Sequence, residues 1–224
     1  MSLALFDLDE TLLNGDSDYL WGRFLVEQGI VESNHYETEN RRFYEDYRQG
    51  VLDIHAYLHF QLGFLAGQDP KTLSQWHSRF MKEKIRPIFL PKGIQLIEKH
   101  RHQGDITLII TATNRFVTAP IAQELGVDHL LATDLERNAE GLYTGRAEGV
   151  PCFREGKVLC LQNWLQKTGH SLKNSWFYSD SINDLPLLEM VENPVAVDPD
   201  ARLRDMAQQN NWPVISLREI HPVI

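Results

Sequence analysis

The chain has 224 residues, of which 42% are hydrophobic and 24% charged, and a formal net charge of −9. That length suits one large domain, or a domain with a modest insert, and either buries a substantial core. The negative balance argues against nucleic acid or an anionic membrane as a general partner, and no apolar run approaches the roughly 20 residues of a membrane span.

The chain enters its first apolar run without a positively charged start or a cleavage site, so no export signal is read and a cytoplasmic location is expected. Its two cysteines, Cys152 and Cys160, lack metal-type spacing and are expected to be reduced.

Residues 2–6 are mostly apolar and run into Asp7, Asp9 and Thr11. A short apolar run that ends in turn-prone polar residues reads as a buried strand of a parallel sheet. Carboxylates at the carboxyl end of such a strand sit where open α/β sheets bind ligands. Paired there, they suggest a carboxylate nucleophile, a Mg²⁺ site and phosphoryl transfer through an aspartyl-phosphate. The same residues also fit a strand followed by an Asx-type turn.

Four helices follow. Asp16 caps the first, which carries Leu20, Phe24 and Leu25 on one stripe and stops at Gly29. Ser33 is read as the cap of a second, ending near Gly50; a third spans Asp53 to about Leu65. The fourth opens at Asp69-Pro70, a cap followed by proline at the first helical position. Pro87 and Pro91 mark a boundary. Strands and helices then alternate: helix 92–102, strand 105–111, helix 116–125, strand 129–133, a hairpin around 140–145, helix 154–168, strand 175–178, helix 184–191, strand 194–197, helix 200–209 and strand 213–216. Such alternation implies a doubly wound, Rossmann-like parallel sheet. Residues 1–15 and 87–224 are therefore expected to form an α/β core, interrupted by an all-helical insert at 16–86.

Three further positions fall at strand ends or helix starts in that core. Thr111 ends its strand, where a hydroxyl and backbone donors can hold a phosphoryl oxygen, although it also fits a cap for the next helix. Lys157, at a helix start, can neutralise phosphate charge. Asp180 and Asp184 follow an apolar strand and can join Asp7 in an oxygen-only Mg²⁺ site, or simply cap and charge a helix start.

Taken in order, Asp7-x-Asp9-x-Thr11, Thr111, Lys157 and Asp180-x-x-x-Asp184 resemble the four signature motifs of the haloacid dehalogenase superfamily of phosphatases. Helices between the first two motifs match the cap of its phosphoserine-phosphatase-like branch. The resemblance implies that Asp7 attacks phosphorus and that Asp9 acts as acid, then base. Mg²⁺ would be bound by Asp7, the backbone carbonyl of Asp9 and Asp180. Thr111 and Lys157 would hold the phosphoryl group, Asp184 would orient Lys157 or a metal-bound water, and Asn183 would touch phosphoryl or substrate. Two departures stand out: Ser179 precedes the fourth-motif aspartate and Ala112-Thr113 follow Thr111, where glycines are usual.

For the substrate, a small phosphorylated metabolite, Asp16 is expected to meet an amino group, and Thr11 is a second substrate-side candidate. Arg41, Arg42 and Arg48 are unplaced candidates for a carboxylate partner. The segments Ile110–Phe116 and Val150–Lys157 look like those of bacterial histidinol-phosphate phosphatases. A cationic amino alcohol would suit Asp16, Asp18, Tyr19 and Trp21. Histidinol phosphate is thus the preferred substrate and phosphoserine the alternative. Rival classes are a phosphotransferase of the same superfamily and a receiver-like signalling module; a homodimer is the assembly considered.

Overall fold

The computed structural model describes residues 2–218. Its centre is a seven-stranded sheet in the order β4-β3-β2-β1-β5-β6-β7, with β1 Leu3–Phe6, β2 Ile106–Asn114, β3 His129–Arg137, β4 Tyr143–Glu148, β5 Trp176–Ser179, β6 Asn193–Val197 and β7 Val214–Ile215. Every neighbouring pair is parallel except β3–β4, the antiparallel hairpin. Strand β1 lies in the middle, pairing Leu3 with Ile106 on one side and Ala4 with Trp176 on the other.

All four β1 residues are buried because helices cover both faces of the sheet. Ala4 and Phe6 point into one cluster, with α5 (Pro91–His102) and α6 (Arg115–Leu125); Leu3 and Leu5 point into the other, with α7 (Glu155–Thr168), α8 (Leu185–Leu188) and α9 (Ala201–Gln209). A parallel strand buried on both sides therefore reads as a continuous apolar run.

Between β1 and α5 stand α1 (Ser17–Glu27), α2 (Ser33–Gln49), α3 (Ile54–Gly63) and α4 (Pro70–Phe80). The last continues through a π-helical turn, Met81–Ile85, and a 3₁₀ turn, Arg86–Ile88. Among the described residues no strand interrupts them. The two ends of this segment are stitched together: Leu13 bridges Phe89, Asn14 N donates to Ile88 O at 2.8 Å, and Leu90 N donates to Leu12 O at 3.1 Å. The segment is no detached lid, since Trp21, Phe24 and Phe80 join the cluster that holds Phe6, Val117 and Ile121. Each such buried side chain contributes roughly 1.5–3 kcal/mol.

Several boundaries differ from expectation. Ser33 is the first helical residue of α2 rather than its cap, which is Glu32, without a side-chain bond. Strand β2 runs three residues past Thr111, and Asn114, not Thr111, caps α6 by accepting from Val117 N. Strand β3 extends to Arg137 because β4 pairs with it. The helix expected at 184–191 is a 3₁₀ turn at Ile182–Asp184 followed by the four-residue α8.

Candidate active site

The carboxyl ends of β1, β2 and β5 meet the start of α7 at one rim. Asp7 N donates to Tyr178 O at 2.9 Å, so the β1 ladder extends one residue and fixes the Asp7 backbone. Its Oδ1 accepts from Lys157 Nζ at 2.7 Å, and the same ammonium lies 2.7 and 2.8 Å from the two Asp184 oxygens. All three side chains are buried. Lys157 is seated by a tight entry into α7: a Cβ on Gly156 would lie 2.0 Å from Pro151 O, so only glycine fits. Ser179 Oγ donates to Asp184 Oδ2 at 2.7 Å and accepts from Ser181 N at 3.2 Å, so the residue that replaces the usual glycine braces Asp184.

Burial pushes the Asp7 carboxyl up to about 7; Lys157 pulls it down, and Asp184 and Asp9 push it further up. Burial also disfavours the Lys157 ammonium, but Asp184 and Asp7 outweigh it and hold the group above its ordinary range. One cation thus faces two carboxylates.

Asp180, at the end of β5, is half-buried. Thr11 Oγ donates to its Oδ1 at 3.0 Å and accepts from its backbone N at 3.1 Å. Thr11 therefore sits against Asp180, fully buried, and does not line the substrate pocket described below. Burial raises the Asp180 carboxyl well above its usual range, with Asp7 and Asp184 adding to the effect. Among the described residues no cationic side chain bonds it. Asp7 and Asp180 are hard oxygen donors in a region of surplus negative charge, a donor set suited to Mg²⁺. No three His, Cys, Asp or Glu side chains of the described residues group as a metal cage, which leaves room for a backbone oxygen and water in an octahedral shell.

Asp9 lies past the strand end, where Glu10 adopts φ +56°. Its Oδ1 accepts from Ser17 N at 2.6 Å, and its Oδ2 accepts from Thr113 Oγ at 2.8 Å. Burial pushes its carboxyl up, opposed by Ser17 through its hydroxyl and its N–H, by Thr113 and by the Lys157 charge. Thr111 Oγ accepts from Thr113 N at 3.2 Å, and both threonines are buried.

Opposite this rim, α1, α2 and α3 close a narrow pocket of about 40 Å³. Its wall includes Asp16, Asp18, Tyr19, Phe43, Tyr44 and Tyr57, together with Asp7, Asp9 and Thr111, and no lysine or arginine lines it. Asp16 is indeed the N-cap of α1, accepting from Tyr19 N at 2.7 Å, and it also lines the pocket. Asp18 is buried; its Oδ2 accepts from Tyr57 Oη at 2.6 Å and its Oδ1 from Asn114 Nδ2 at 3.3 Å. Burial pushes it up to about 7, the Tyr57 bond opposes this, and Asp9 adds to it.

Three expectations land elsewhere. Trp21 is in the core among Phe24, Phe80 and Phe116, because its ring lies on the inward stripe of α1. Arg41, Arg42 and Arg48 are exposed and none lines this pocket, although Arg48 lines the adjoining cavity with Asp9, Asp16 and Asp180. Asn183 Oδ1 accepts from Arg154 Nε and Nη2 at 3.2 and 3.1 Å, and its Nδ2 donates to Tyr47 O at 3.2 Å. Since Arg154 also donates to Gly50 O, this pair ties the end of α2 to the core. Sequence reading passed over Thr113, Tyr57 and Asn114 as site residues. The alternation of β2, which places Thr113 on the side of Thr111, was the available signal for the first.

Residues 4–189 match the model of the haloacid dehalogenase-like hydrolases. The chain is 42% identical to a histidinol-phosphatase of Neisseria meningitidis over 97% of its own length and 99% of the relative's. It is 30% identical to a phosphoserine phosphatase of Mycobacterium tuberculosis, covering 96% of this chain and 70% of that one. A solved Bordetella pertussis protein of unknown function superposes with a TM-score of 0.90 at 46% identity, covering 97% and 99% of the two chains. A substrate-bound phosphoserine phosphatase gives 0.70 at 18% identity, over 97% and 93%, a likeness of fold. The chain belongs to the haloacid dehalogenase-like hydrolases and is a phosphatase of that family.

Proposed function

We propose that this phosphatase hydrolyses the phosphomonoester of a small cationic amino alcohol, with histidinol phosphate as the substrate that fits best. The observation that carries the reading is the pocket's charge: four carboxylates, Asp7, Asp9, Asp16 and Asp18, among aromatic rings, with no lysine or arginine on the wall. A cationic, carboxylate-free substrate is complementary to such a wall, whereas the carboxylate of phosphoserine would find no arginine on it, Arg48 lining the adjoining cavity instead. The 42% identity to the Neisseria histidinol-phosphatase points the same way.

In this reading residues 16–86 form a cap over a core of residues 1–15 and 87–224. Asp7 attacks phosphorus and becomes the aspartyl-phosphate, while Asp9 gives a proton to the leaving alkoxide. Asp9 then takes a proton from the water that cleaves the acyl phosphate, which regenerates Asp7 and frees phosphate. Such a positioned acid–base group contributes roughly 10²–10⁴-fold. Lys157 and Thr111 hold phosphoryl oxygens, Asp184 holds Lys157, and Asp16 meets the substrate's amino group. Asp7, Asp180 and the Asp9 carbonyl would hold Mg²⁺, which when bound offsets the repulsion between carboxylate and phosphate.

Ranking kcat/KM over histidinol phosphate, phosphoserine and p-nitrophenyl phosphate tests the reading. Histidinol phosphate is expected to lead phosphoserine by roughly 100-fold or more, the discrimination a site gains from unpaired charge on the wrong ligand. A preference for phosphoserine overturns it.

A further inference from the structure

We propose that Thr113 is a positioning residue that holds the Asp9 carboxyl through both halves of the reaction. The inference rests on the acid–base reading of Asp9 and deepens it.

Asp9 stands on a turn beyond the end of β1, where no strand ladder fixes it. Two bonds locate its carboxyl, with the buried Ser17 hydroxyl also beside it, and the two bonds come from different parts of the chain. Ser17 N, at the first helical residue of α1, holds Oδ1; Thr113 Oγ, on β2, holds Oδ2. The two donors differ in kind. A backbone N–H can only donate, so Oδ1 is committed as an acceptor whatever the charge of the group. The threonine hydroxyl occupies one lone pair of Oδ2 and leaves the other to carry a proton that faces the substrate. The Thr113 contact therefore persists when Asp9 carries the proton for the leaving alcohol and when it has given that proton away.

The Thr113 side chain is itself well fixed. It is β-branched and buried, with a stiff χ1, and its backbone N–H donates to Thr111 Oγ. That bond occupies an acceptor site of Thr111 and leaves the Thr111 hydroxyl proton free for a phosphoryl oxygen. One short segment of β2 thus sets both the phosphoryl contact and the orientation of the acid. A glycine at position 113 could supply neither the bond to Asp9 nor the stiffness.

The reading predicts a signature tied to the leaving group. Expelling an alkoxide needs the proton from Asp9, whereas p-nitrophenolate leaves without it. kcat/KM covers the steps up to release of the alcohol, so the later hydrolysis of the aspartyl-phosphate does not enter. Thr113→Val, Thr113→Ala and Thr113→Ser should be compared with wild type and with Asp9→Asn on histidinol phosphate and p-nitrophenyl phosphate. Thr113→Val is expected to lose roughly 10- to 100-fold in kcat/KM on the alkyl ester and under about threefold on the aryl ester, with Thr113→Ser near wild type on both. Thr113→Ala stands in if the valine does not fold. Equal losses on both esters, or no loss on either, overturn the role of Thr113 if Asp9→Asn itself separates the esters. If Asp9→Asn does not separate them, the acid reading of Asp9 fails and the inference falls with it.

Discussion

The two walls of the site handle buried charge in opposite ways. On the core wall, Asp7 and Asp184 share the Lys157 ammonium within 2.8 Å. On the helical wall, Asp18 is equally buried but has only neutral partners, Tyr57 and Asn114. The core wall is assembled before any ligand arrives, whereas the helical wall carries a charge left for the ligand to neutralise. In the proposed reading the chemistry is thus built in, and selectivity is left as an electrostatic deficit.

The sharpest way to break this contrast is at Asp7. Asp7→Asn is expected to reduce kcat by at least roughly 10⁴-fold with the far-ultraviolet circular dichroism unchanged; substantial turnover in that variant rules out Asp7 as nucleophile. Next comes Lys157→Met, with a loss of roughly 10²–10³ in kcat. Leaving Asp7 and Asp184 face to face without their cation should also cost about 3–5 kcal/mol in chemical denaturation. If stability is unchanged, the core wall is not held by that ion pair.

The helical wall should respond differently. Asp18→Asn is expected to raise KM for histidinol phosphate roughly 10-fold, the worth of one charge-assisted bond, and to leave p-nitrophenyl phosphate unaffected. Equal changes on both substrates would show Asp18 to be structural. The remaining effect concerns stability. Burial moves the Asp18 carboxyl from its ordinary 3.8 to about 7. A raised carboxyl contributes its full stability below the unfolded value and loses it as pH climbs through the folded one. Asn never ionises, so the Tm gain of Asp18→Asn over wild type in the ligand-free protein should be near zero at pH 4, grow towards pH 7 and then level off. About 2–4 °C is expected for each kcal/mol. A gain confined to acid pH contradicts the assignment.

The core wall was far more legible in the sequence than the helical one. Asp7, Lys157, Asp180 and Asp184 sit where a buried strand stops or a helix starts, and such junctions announce themselves through an abrupt change from apolar to polar residues. The Asp16, Asp53 and Asp69-Pro70 caps were readable for the same reason. On the helical wall the informative residues belong to amphipathic helices, where an inward tyrosine looks like any other. Tyr57 reached the pocket while Trp21, equally aromatic, went to the core; only the packing of α1 against α4 and α6 decides between them. Strand β2 was cut short because Thr111–Asn114 has only Ala112 among polar residues, yet those polar side chains face the site rather than solvent, as Thr113 and Asn114 illustrate.

The central position of β1 has a consequence for how the molecule is made. Its two neighbours begin at Ile106 and Trp176, so the second arrives about 170 residues later. At 5–20 residues per second that is roughly 9–35 s on the ribosome. During that wait the five α-helices between β1 and β2 have already emerged, with an apolar strand tethered at their base. The strand that ends in Asp7 is among the first to be synthesised, yet it is flanked on both edges only after β5 has emerged. An exposed apolar strand of this kind invites aggregation, which makes early helical packing around Trp21 and Phe24 a safeguard during birth as well as a scaffold afterwards.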